Sequence, residues 1–94
     1  MIREHIKNKV YECIKNRYYD PKTFNDLMSI HSNDGEDLLL YSEFNFDSLD
    51  IIEFILSLEE TFKIVLPDYL FNSEVTLRII IDYIYEQRKN NWII

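Results

Sequence analysis

Apolar residues recur with helical spacing in three separate stretches of this chain, and only one glycine is available to turn it. So few glycines, with just two prolines beside them, argue against a β architecture of many tight turns. In the first stretch Ile2, Ile6, Val10, Cys13 and Ile14 share one stripe, while Arg3, Glu4, Lys7, Lys9 and Lys15 take the other faces. Residues 2–17 are therefore predicted to form an amphipathic helix, stopped at Asp20-Pro21 because proline disfavours a helical residue before it. A second helix is predicted from Asp47 to Phe62 or Lys63, and Pro67 breaks the chain after it. Residues 69–72 make a short third helix. Thr76 caps the last one, in which Leu77, Ile80, Ile81 and Ile84 form the buried stripe and Tyr83, Tyr85, Glu86 and Arg88 lie outward. The expectation is an all-α fold. It is a small four-helix bundle, three long helices plus one short, forming a single domain over residues 1–94 with a long first loop.

That loop spans roughly thirty residues, too many for an ordinary connection. Phe24, Leu27 and Met28 can close a short helical turn, Asn33-Asp34-Gly35 is a turn signal, and Leu38, Leu39, Leu40, Tyr41 and Phe44 are expected to pin the segment across the core. The turn superficially resembles a calcium loop. With Gly35 in sixth place, however, Ile30 and Tyr41 occupy the first and twelfth positions, where carboxylates are required, so calcium is rejected.

An apolar content of 47% suits a chain that folds. No run is long enough to span a membrane and the N-terminus lacks the order of a signal peptide, so a cytoplasmic location is expected. Cys13 is the only cysteine and reads as a buried structural thiol. His5 and His31 stand in no ligand or triad pattern. The formal charge of −7 is unevenly spread. Residues 23–62 hold no lysine or arginine but ten acids, leaving ten basic and seven acidic residues elsewhere. Nucleic acid is a poor partner for such a surface, whereas a basic patch on another protein is a good one.

The second helix resolves into three faces. Ile51, Phe54, Ile55, Leu58 and Phe62 make the core stripe, and Leu49, Ile52 and Leu56 form a separate narrow apolar strip. Asp50, Glu53, Ser57 and Glu60 lie beyond that strip. Apolar contacts flanked by charge suit a docking surface; the plainer reading packs the strip against the long loop. Asp47 is a good N-cap, which puts Ser48 at the first helical position, where helix dipole and unpaired amides favour an attached phosphodiester. No histidine or lysine adjoins Ser48 in sequence and no glycine elbow surrounds it, so it is not an activated nucleophile. Serine at a helix start is most often only a cap.

The order of residues around it is more specific. Asp47-Ser48-Leu49-Asp50, followed by Glu53, Leu58-Glu59-Glu60, Phe62, Leu66-Pro67-Asp68 and Asp82-Tyr83-Ile84, resembles the acyl carrier protein family over about residues 44–85. The resemblance implies that a phosphopantetheinyl transferase, using coenzyme A and magnesium, places a 4'-phosphopantetheine arm on Ser48. The arm's thiol then carries acyl thioesters for fatty-acid-like, lipid or polyketide synthesis. It implies a carrier that is not itself an enzyme and binds no metal, a monomer in contact with acyl-transfer, synthase or ligase enzymes that present basic patches. Asp47, Leu49, Asp50, Ile52, Glu53, Leu56, Glu59 and Glu60 match the family's recognition surface, and the core-facing residues match the lining of its acyl pocket.

Four departures from the family pattern stand out, one of them the long connection, which is extended around residues 23–35. Asn45 replaces a glycine, and asparagine tolerates a left-handed conformation. Phe46 replaces a small residue, placing a ring beside the attachment point. Tyr69-Leu70-Phe71-Asn72 replaces an acidic stretch, so apolar docking is expected there. Together they suggest a dedicated carrier with its own enzyme set. The alternatives are an aminoacyl or peptidyl carrier, against which Asp47 weighs because peptidyl carriers often have histidine there, and a helical adaptor that has lost the arm.

Overall fold

The computed structural model describes residues 2–18 and 36–91. In chain order they form helix α1 (Arg3–Tyr18), helix α2 (Ser48–Phe62), a short 3-10 turn η1 (Asp68–Phe71) and helix α3 (Leu77–Asn91). No strand occurs among the described residues; the nearest approach is one antiparallel bridge between Leu39 and Thr76. The fold is all-α, as the periodicity predicts, with the short third helix reduced to a 3-10 turn. The helix stop at Asp20-Pro21, the turn at residues 24–28 and Asn33-Asp34-Gly35 lie outside the described residues, as do Trp92, Ile93 and Ile94.

α1 packs against both α2 and α3. Ile6, Val10 and Ile14 from α1, Phe54, Leu58 and Phe62 from α2, and Leu77, Ile80, Ile81 and Ile84 from α3 are completely buried around one core. Each such side chain contributes about 1.5–3 kcal/mol through removal from water. Residues 36–46 cross this core as expected: Leu38, Leu40 and Phe44 are buried, and the Leu40 amide donates to the Val75 carbonyl at 3.1 Å.

Several outward or inward assignments need correction. Lys7 is buried, with its Nζ 3.0 Å from the Glu36 carboxylate and 5.7 Å from the centre of the Tyr11 ring. The buried side of α1 therefore swings toward Lys7 and leaves Ile2 exposed and Cys13 only half-buried, its Sγ 3.7 Å from Thr61 Oγ1. On α2, Ile55 is half-buried rather than central. Tyr83 and Tyr85 on α3 are half-buried and pack against the core, because their long rings reach it from flanking positions.

Glu36 is a buried carboxylate that gathers cations from two helices. Arg3 Nη2 lies 2.5 Å from it, Lys7 Nζ 3.0 Å and Arg78 Nε 3.8 Å, and its carbonyl accepts the Arg78 amide at 2.9 Å. Arg3 also reaches Asp82 at 2.7 Å, and Arg78 reaches Asp37 at 2.5 Å. The hydrogen bond from Arg3 is the main cause holding the Glu36 carboxyl below the usual glutamate range, with Lys7 adding to it against the effect of burial. The cluster joins the start of α1, the entry to residues 36–46 and the first turn of α3.

Candidate functional site

The site begins one turn before α2. Asn45 adopts the left-handed conformation at φ 59°, as its identity allows, and the two flanking rings, Phe44 and Phe46, both turn inward. The Phe46 amide donates to the Leu40 carbonyl at 3.0 Å. Its ring is only 5% exposed and meets Phe54 edge-on at 5.8 Å and Phe44 at 6.1 Å. Two residues before Ser48, the Phe46 ring belongs to the core rather than to the surface. The inward turn of Phe46 depends on the left-handed backbone at Asn45 and on the Phe54 ring it meets, neither of which a comparison of residue types shows.

Asp47 then caps α2. Its Oδ1 accepts the Asp50 amide at 2.8 Å, and the Asp50 carboxylate accepts the Asp47 amide at 3.1 Å, a reciprocal capping box. Ile51 makes the first backbone bond of the helix, to the Asp47 carbonyl. The amides of Ser48 and Leu49 donate to nothing among the described residues. Ser48 is exposed at the first helical position, and its hydroxyl has no hydrogen-bond partner among the described residues. Asp47 does the capping, so the serine hydroxyl is left without a structural task.

Such a serine cannot activate itself, but it can receive a group. A phosphodiester on Ser48 Oγ would face solvent next to two open amides at the positive end of the helix, with no side chain among the described residues hydrogen-bonded to the hydroxyl. The residues present fit a 4'-phosphopantetheine arm. Among the described residues no group of three or more His, Cys, Asp and Glu side chains is placed to hold a metal ion, and no helix is long and apolar enough to cross a membrane.

The outer face of α2 carries the apolar strip. Leu49, Ile52 and Leu56 are 62%, 53% and 58% exposed. Asp47 and Glu60 are exposed beside them, while Asp50, Glu53, Ser57 and Glu59 are half-buried. Three of these carboxylates also have internal work, Asp47 and Asp50 in the capping box and Glu59 in accepting the Leu66 amide at 2.8 Å. At the far end Lys63 is left-handed at φ 56° and closes the helix through its amide on the Glu59 carbonyl at 2.8 Å, while Arg88 of α3 donates to the Phe62 carbonyl. On η1, Leu70 and Phe71 are taken into the core and Tyr69 is the one apolar side chain left exposed, so the apolar docking expected of that stretch reduces to one ring.

Spacing does not single out Val65, which is 82% exposed just before the buried Leu66. Its only signal is the apolar run Ile64-Val65-Leu66, of which an irregular segment cannot bury every member. Conversely, Glu36 leaves the acidic surface, buried against Arg3 and Lys7, while Asp37 stays exposed with its charge matched by Arg78.

Residues 26–84, more than half of the chain and including Ser48 and all of α2, match the family model described as the phosphopantetheine attachment site. No curated protein and no solved structure matches the chain. An exposed, unengaged serine at a capped helix start thus lies inside a matching carrier domain, and the chain belongs to the family of phosphopantetheine-bearing carrier proteins, in which the arm is attached covalently.

Proposed function

We propose that Ser48 is the attachment residue and that residues 1–94 act as one acyl carrier domain. Domains of this family are generally carriers without catalysis of their own. The observation that carries the reading is the Ser48 hydroxyl, exposed and unengaged in a turn already capped by Asp47 and Asp50. When bound, the arm supplies a thiol that holds cargo as a thioester. The chain's own residues hold and present it. Asp47 and Asp50 fix the turn. Leu49, Ile52 and Leu56 offer apolar contacts, and Asp47, Asp50, Glu53, Glu59 and Glu60 steer a basic patch of the partner into register. The partners are a phosphopantetheinyl transferase and then synthases, acyltransferases or ligases, each meeting a monomeric carrier. Asp47 stands where peptidyl carriers often have histidine, which favours an acyl over a peptidyl cargo.

Incubation with coenzyme A and a promiscuous phosphopantetheinyl transferase, followed by intact-protein mass spectrometry, tests this. One phosphopantetheine is expected on the wild type and none on Ser48→Ala; an equal gain on both removes Ser48 from the reading. Mass spectrometry of the thioester released from protein purified from its native host then distinguishes acyl from aminoacyl cargo.

A further inference from the structure

We propose that Phe46 closes the interior of the bundle against the cargo, so that an alkyl chain attached through Ser48 is held outside the core. This inference rests on the carrier reading and deepens it. A chain entering from the Ser48 end has to pass along the inner side of the first turns of α2, where Ile51 and Phe54 face the core. The Phe46 ring fills that side. It lies edge-on to Phe54 at 5.8 Å and is tilted against Phe44 at 6.1 Å, with Phe44, Phe54 and Leu40 all essentially without exposure.

The ring is also held through its backbone. Its amide donates to the Leu40 carbonyl at 3.0 Å, the left-handed Asn45 precedes it, and Asp47 of the capping box follows it. Swinging Phe46 out therefore disturbs the cap that places Ser48. Close-packed interiors resist added methylenes, so the closed arrangement wins unless the ring is removed. The cargo class that suits such a carrier is a short or polar acyl group, whose exposure to water costs little, handed to a partner with no extraction step.

The test compares the arm-bearing protein with its hexanoyl and dodecanoyl thioesters, in the wild type and in Phe46→Ala. In the wild type the melting temperature is expected to be the same for all three forms, and no nuclear Overhauser contact is expected between the alkyl chain and Ile51 or Phe54. In Phe46→Ala the dodecanoyl chain fills the vacated space, raising the melting temperature by roughly 4–8 °C and bringing contacts to both residues. Contacts to Ile51 and Phe54 in the wild type, with a melting temperature that climbs with chain length, overturn the proposal. If Phe46→Ala does not fold, Phe46→Leu takes its place with a smaller rise, and the wild-type contacts still decide. If the transferase adds no mass, the carrier reading fails instead. Closure is then read by attaching a dodecyl chain through a disulfide to Ser48→Cys in a Cys13→Ser background, with the same contacts as the readout.

Discussion

Asp47 and Ser48 divide two tasks that one serine commonly performs alone. The Asp47 carboxylate accepts the Asp50 amide and the Asp50 side chain returns the bond, which leaves Ser48 structurally idle and open to modification. Replacing Asp47 by Ala removes one member of the box and should cost about 1 kcal/mol, read as a lower urea midpoint with an unchanged slope. The same variant should accept the arm more slowly, since the turn that presents Ser48 frays. Asn45 was legible because tolerance of a left-handed backbone is a property of the residue itself. The direction of Phe46 was not, because it depends on the backbone angle of its neighbour and on the ring of Phe54 eight residues on. Lys63 is a similar case: nothing in a lysine announces a left-handed helix end, and the position is set by where Phe62 meets the core and Arg88.

At the scale of the element, α2 has two apolar faces that do different things. Ile51, Phe54, Leu58 and Phe62 are spent on the core, while Leu49, Ile52 and Leu56 are left to solvent. Helical spacing separates these faces without any structure. Their unequal burial needed the rest of the molecule, since a strip of this kind can equally pack beneath a loop. Because the strip carries little of the fold, Ile52→Ser and Leu56→Ser should change the unfolding free energy by no more than about 0.5 kcal/mol. They should nonetheless raise the transferase KM for this carrier with little change in kcat. Steady-state kinetics beside urea titration separates the two effects, and a stability loss matching the kinetic one sinks the docking role.

Across the whole molecule the charge distribution divides in the same way. Composition places an acid-rich, base-free segment at residues 23–62, yet its Glu36 is buried against Arg3, Lys7 and Arg78 and belongs to the scaffold. Glu36→Gln leaves those cations partly buried without their anion. Partial exposure of Arg3 and Arg78 moderates the loss to about 2–3 kcal/mol, less than for a fully buried pair. The carboxyl titrates lower in the folded chain than in the unfolded one, so the unfolded state binds the proton first as pH falls. The stability Glu36 contributes is therefore complete above the ordinary glutamate value of about 4.3 and disappears as pH drops through the depressed folded value. Urea midpoints measured from neutral to acid pH should converge for the wild type and Glu36→Gln at the acid end; a constant gap between them removes the ion cluster as the cause.

By itself the sequence determined the helices, the core stripes of α2 and α3, the cap at Asp47, the exposed serine after it and the family, because each depends on the spacing of neighbours along one helix or on a residue's own backbone preference. Only the tertiary structure decided that Lys7 and Glu36 go inside as a pair, that Phe46 closes the core beneath Ser48, and that the Leu49-Ile52-Leu56 strip stays in water. These outcomes turn on contacts between segments far apart in the chain or on the left-handed turn at Asn45, and neither is encoded in local periodicity.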